Sequence, residues 1–144
     1  MICDEAAISM PDEIATILWF QAIISNREGD LSSERRFLEK AINTQPINRA
    51  AILAYGTLML RLDQFDEAIK RFEDLIDIDS QESDFSFTQG ACLRLSYCFH
   101  AQGKIPEAKS YLERVGPIFG RTPVKFDPLV TYDNLKLMIE KSRQ

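Results

Sequence analysis

The chain is poor in the residues that most chemistry needs. Its 144 residues include one histidine, one tryptophan and three cysteines. His100 has no cysteine or second histidine at ligand spacing, so no metal centre is expected. Cys3, Cys92 and Cys98 are odd in number and match no zinc pattern. Cys92 and Cys98 lie six apart in a predicted helix, roughly 240° around its axis, and cannot bridge there. They read as small buried apolar residues, and a reducing compartment, the cytoplasm, is expected. Arg94 alone is too little positive charge nearby to argue for a reactive thiol. The six glycines, at 29, 56, 90, 103, 116 and 120, are too scattered to cradle a phosphate, and no cofactor is expected. With six prolines they are also too few for a collagen-like or low-complexity chain. No uninterrupted apolar run approaches about 18 residues, which argues against a membrane span. The acidic Met1–Glu5 stretch does not have the basic-then-apolar order of a signal peptide.

What remains is ordinary globular material. Hydrophobic residues make up 45% and charged residues 27%, and the length suits one domain over 1–144. A net charge of −5 argues against nucleic-acid binding, which needs a cationic surface. Charge is unevenly placed. Residues 63–84 hold nine acidic and two basic side chains, whereas 104–144 hold eight basic and five acidic. The acidic block reads as a solvated convex face or as a docking face for a basic partner.

Apolar residues recur at spacings of three and four, so helices are predicted and strands are nearly absent. The first helix is expected over about 11–27, with Pro11 early and Asp12 and Glu13 at its positive end. Others are expected over about 32–44, 49–61, 65–78, 87–102 and 106–114. Ser86 and Gln89 suggest a capping box for the fifth. Asp127 and Pro128 suggest the start of a seventh, over about 128–141.

The helices come in similar pairs. Tyr55-Gly56 in one helix goes with Phe65-Asp66-Glu67-Ala68 and Phe72 in the next. Thirty-four residues earlier stand Gln21-Ala22, then Leu31 to Glu34 and Leu38; 40 later stand Leu95-Ser96, then Ile105 to Ala108 and Leu112. Ala22, Gly56 and Ser96 would allow close helix crossings, and Gly29 and Gly103 would suit the turns. Leu18, Ile52 and Cys92 would fill the space between pairs with Leu38, Phe72 and Leu112. Glu34, standing where a second small residue is expected, departs from the pattern, as does Gln21.

On these residues the sequence resembles the tetratricopeptide repeat family, with repeats at about 15–48, 49–82 and 89–122. The resemblance implies an all-α, right-handed superhelical array of three helix pairs with a C-terminal capping helix. It also implies a concave groove on the inner helices. Trp19, Ile23, Asn26, Arg27 and Leu53 would line it, together with Thr57, Leu60, Arg61, Leu93, Tyr97 and His100. Without a basic residue at the groove positions of the third inner helix, a clamp for a C-terminal carboxylate is not expected. An apolar or amphipathic protein segment is the expected occupant. Alternatively the seventh helix or residues 2–8 fill the groove, or a homodimer forms there.

Because no catalytic constellation is visible, the chain reads as a non-enzymatic adaptor or chaperone. An acidic stoichiometric inhibitor, such as an immunity protein neutralising a toxin, is the alternative.

Overall fold

In a computed structural model, residues 11–45, 47–115 and 131–142 are described, and every regular element among them is an α-helix. The elements are α1 (Pro11–Arg27), α2 (Leu31–Ile42), α3 (Arg49–Arg61), α4 (Phe65–Gln81), α5 (Thr88–Ala101), α6 (Ile105–Glu113) and α7 (Tyr132–Ser142). The chain divides into two compact units, Met1–Tyr55 and Gly56–Gln144.

In the first unit α1 packs along α2. Ala15 and Ala22 of α1 and Leu38 and Ala41 of α2 are buried. Glu34, which breaks the repeat pattern, is buried as well, and the Asn26 amide donates to both of its carboxylate oxygens at 3.3 and 3.2 Å. A polar partner one turn back in space therefore compensates for an acid at a position that asks for a small residue. Asp30 caps α2, its carboxylate accepting from the Ser33 amide at 3.1 Å.

In the second unit α5 packs against α4 and α6, and α7 lies on both α6 and α5. Phe72, Leu75, Leu95, Cys92, Cys98, Leu112 and Leu135 form its core. Gly56 meets Phe72 so closely that a Cβ on Gly56 would stand 2.6 Å from the ring edge. Ser96 uses its small size differently, its hydroxyl donating to the Ala108 carbonyl at 2.7 Å across the α5–α6 crossing.

The turns repeat in atomic detail. Gly29, Asp63 and Gly103 all adopt positive φ, at 74°, 59° and 76°. The following amides, of Asp30, Gln64 and Lys104, donate back to Ser25, Met59 and Phe99 at 2.9, 2.8 and 2.8 Å. This is the hydrogen bond that closes a helix over a left-handed residue. Asp63 does the work of glycine between α3 and α4. The same device ends α4: Ser83 has φ 52°, and the Asp84 amide donates to the Asp79 carbonyl at 3.0 Å. That places the end of α4 at Gln81, three residues later than the sequence suggests.

One expectation about helix starts is corrected. No side chain caps α5 at its first turn, so the Ser86–Gln89 capping box does not form. Instead the Asp79 carboxylate, fully buried on α4, accepts from the Phe87 amide and the Thr88 hydroxyl, both at 2.9 Å. Asp127 and Pro128 lie outside the described residues. Within them α7 begins at Tyr132, with Thr131 as its cap, the hydroxyl accepting from the Asn134 amide at 3.1 Å.

Replacing Gly56 with alanine should destabilise the chain even though alanine favours a helix by about 1 kcal/mol over glycine. The Phe72 ring is fully buried and must move, and such overpacking costs about 1–3 kcal/mol. A lower urea midpoint, partly restored by adding Phe72→Leu, is the expected result. The Ser33 hydroxyl, then its amide, holds the Asp30 carboxyl below its usual value of 3.8. Because the folded value is the lower one, this stabilisation is present above the usual value and fades as pH falls through the folded one. The difference in thermal midpoint between the parent chain and Asp30→Ala should therefore shrink on acidification.

Candidate functional site

The inner helices α1, α3 and α5 carry every residue expected to line a groove, and each unit presents its own share. On α1, one side faces α2 through Ala15, Ala22 and Ser25. Trp19 and Ile23 lie on a second side, each half-buried, with Asn26 and Arg27 exposed beyond them. The Asn26 amide is occupied by Glu34, so it is a structural support for α2 more than an open contact. Leu53 is half-buried in the same unit.

A third side of α1 was not singled out from sequence. Ile14, Ile17, Phe20 and Ile24 form a row at helical spacing and are 44%, 53%, 54% and 53% exposed. Trp19 and Phe20 stand with ring centroids 5.1 Å apart. The signal was available: α1 is apolar nearly all round, and a helix of that kind ordinarily has neighbours on every side.

In the second unit the expected site divides. Leu60 and Leu93 are buried, and so is Thr57, whose hydroxyl accepts from Arg94 Nε at 2.9 Å. These three belong to the core, contrary to the expectation that a partner would touch them. For Leu93 the reason is that α5 has α4, α6 and α7 packed around it, which leaves little of its circumference open. Arg61 and Tyr97 remain half-buried. His100 is also half-buried, and its Nε2 lies 2.9 Å from the Ser142 hydroxyl of α7. The capping helix thus contacts one of the expected groove residues. Residues 2–8, the other candidate cover, lie outside the described residues.

Arg94 was read only as a cation near a cysteine, and the structure gives it a larger part. It is half-buried, with Nη1 donating to the Gly90 carbonyl at 3.0 Å, and desolvation brings its pKa down to about 10. Its charge lies close enough to Cys98 to favour the thiolate, but burial dominates and pushes that thiol up to about 12. Burial raises Cys92 as well, against a smaller opposing effect of Arg114. Neither thiol is set up as a nucleophile. No group of three or more His, Cys, Asp or Glu able to hold a metal occurs among the described residues. No helix among them is long and apolar enough to cross a membrane.

The tetratricopeptide repeat family model matches residues 50–81, which cover most of α3 and all of α4. Among solved structures, the chain is similar to the N-terminal domain of stress-induced protein-1 (STI-1) from C. elegans. The TM-score is 0.70 at 15% identity, over 92% of this chain and 97% of that one. At that identity the likeness speaks for the fold. No curated protein matches the sequence.

Both described cysteines should resist a thiol reagent at neutral pH in the folded protein and react at once in urea. Cys98 is the more telling of the two, since its high pKa and its burial act in the same direction. Labelling of Cys98 at the rate of a free thiol without denaturant would contradict the buried geometry.

Proposed function

We propose that this chain, which carries the tetratricopeptide repeat and has the all-helical fold of that family, is a non-enzymatic module that binds a protein partner. Repeat arrays of this type serve protein–protein interaction in general. The finer reading is a small cytoplasmic adaptor or chaperone that holds an apolar or amphipathic segment of its partner. The observation that carries it is the surface of α1. Four large apolar side chains there are about half exposed, and Trp19 and Ile23 adjoin them. A row of this composition exceeds the scattered single hydrophobes that a soluble surface normally shows.

On this reading Trp19, Ile23 and Leu53 are the main contacts on the first unit, with Arg27 orienting the segment. Tyr97 and Arg61 serve the same purpose on the second. Aromatic and Arg side chains dominate interface energetics, each key truncation costing about 2 kcal/mol or more. Thr57, Leu60 and Leu93 act from beneath, by holding α3 and α5 in place.

The test is quantitative capture from the native host with the whole chain as bait, followed by affinity measurement with the purified partner. Trp19→Ala, Phe20→Ala and Tyr97→Ala should each weaken that partner by about tenfold or more, with the thermal midpoint nearly unchanged. If all three bind as the parent does, the partner sits elsewhere on the molecule.

A further inference from the structure

The second unit has another recess, away from the inner-helix residues considered above. It lies between α4 and α6, with a volume of about 540 Å³, within the range of ligand-binding clefts. Ile69, Ile76 and the ring of Tyr111 give it apolar walls. Along α4 the lining positions are 66, 69, 70, 73, 74, 76 and 77, so acids and isoleucines share one face of the helix with Lys70.

The Tyr111 ring is held firmly. Phe99 stacks on it with centroids 5.6 Å apart, Arg114 lies 5.3 Å from its centre, and its hydroxyl donates to Glu73 at 3.2 Å. An aromatic side chain fixed in this way loses little freedom when something packs on it.

The charge around the recess is unbalanced. Asp66, Glu73, Asp74 and Asp77 outnumber Lys70 and Arg114. Glu73 is occupied by Tyr111, and Asp66 accepts from the Gln102 amide at 2.8 Å. Asp74 and Asp77 are both exposed, and among the described residues neither has an ion-pair partner. Two unpaired carboxylates beside an apolar cleft favour an incoming chain that carries cations on either side of an apolar side chain.

We propose that the α4–α6 cleft is a second docking site, which takes a Lys- or Arg-bearing segment of a protein and seats one of its apolar side chains against Ile69, Ile76 and Tyr111. It is built wholly from residues of the second unit, whereas the α1 surface belongs to the first.

The experiment uses the full chain, isotopically labelled, titrated with a synthetic 12-residue peptide of alternating Lys-Lys and Leu-Leu pairs. Saturable shifts should appear in α4 and α6, weaken as salt is added, and be missing with the matching Glu-Glu/Leu-Leu peptide. Asp74→Asn with Asp77→Asn should weaken binding by about tenfold, the sum of two partly exposed charge pairs. Glu28→Gln with Glu140→Gln removes the same net charge away from the cleft and should change binding by less than about threefold. Tyr111→Ala, or Ile76→Ala if the tyrosine variant unfolds, should weaken binding without altering its salt dependence. Equal losses in the two charge pairs, shifts centred on α1, or no saturation would each overturn the proposal.

Discussion

Where two helices meet at a residue with almost no side chain, their separation is set by backbone and by what the opposite helix places in the gap. In the second unit that gap belongs to Phe72, whose ring is fully buried and lies where a Gly56 Cβ would have to go. The crossing fixes α4 against α3, and with it which stripe of α4 is buried and which is left to solvent. Ser96 marks the same position in the next pair, but there the close approach becomes a hydrogen bond to the Ala108 carbonyl. A hydroxyl that satisfies a backbone acceptor across a crossing adds direction to what would otherwise be contact alone. The exposed stripe of α4 is therefore a consequence of the crossing at Gly56 and Phe72.

The turns show how far such geometry can be read from residues. Gly29 and Gly103 were legible as turn positions because glycine alone takes a positive φ without strain. Asp63 and Ser83 were not, although they adopt the same conformation. A non-glycine residue there costs about 1–2 kcal/mol, and Asp is among the side chains that tolerate it best. The closing hydrogen bond and the packing of the next helix offset that cost. Propensity could therefore find two of the four left-handed positions, and the repeat register could have found Asp63. Ser83 stands outside that register, at the end of the second helix of a pair.

The repeat pattern was legible because it depends on residue size at fixed spacing, and size is written in the sequence. Accessibility was less so. Leu60 and Leu93 hold inner-helix positions as expected, yet they are buried, because exposure is decided by how many neighbours an element acquires. The docking of α7 on α5 and α6 could not be counted from spacing, since α7 breaks the period. The reverse holds on α1. Its apolar row at 14, 17, 20 and 24 would ordinarily be assigned to packing, and in the structure it is half open. Polar compensation was also hidden. Asn26 with Glu34, and Asp79 with the start of α5, are contacts between helices, joined by three-dimensional proximity and by no local motif.

The acidic block illustrates why a charge count is a poor guide to a surface. Of its nine carboxylates, Asp79 is turned inward and bonded to the first residues of α5, so it belongs to the fold. Glu67 pairs with Arg71 at 3.0 Å on the same helix, and Asp66 and Glu73 are tied to Gln102 and Tyr111. Each of these acids has a structural duty. Asp74 and Asp77 have none among the described residues, and they stand beside a rigid aromatic ring and two isoleucines. Net charge treats all nine alike, whereas an approaching cation would not. The part of the block able to select a partner is the part the fold has left uncompensated, and its position follows from the same crossing at Gly56 and Phe72 that sets α4 in place.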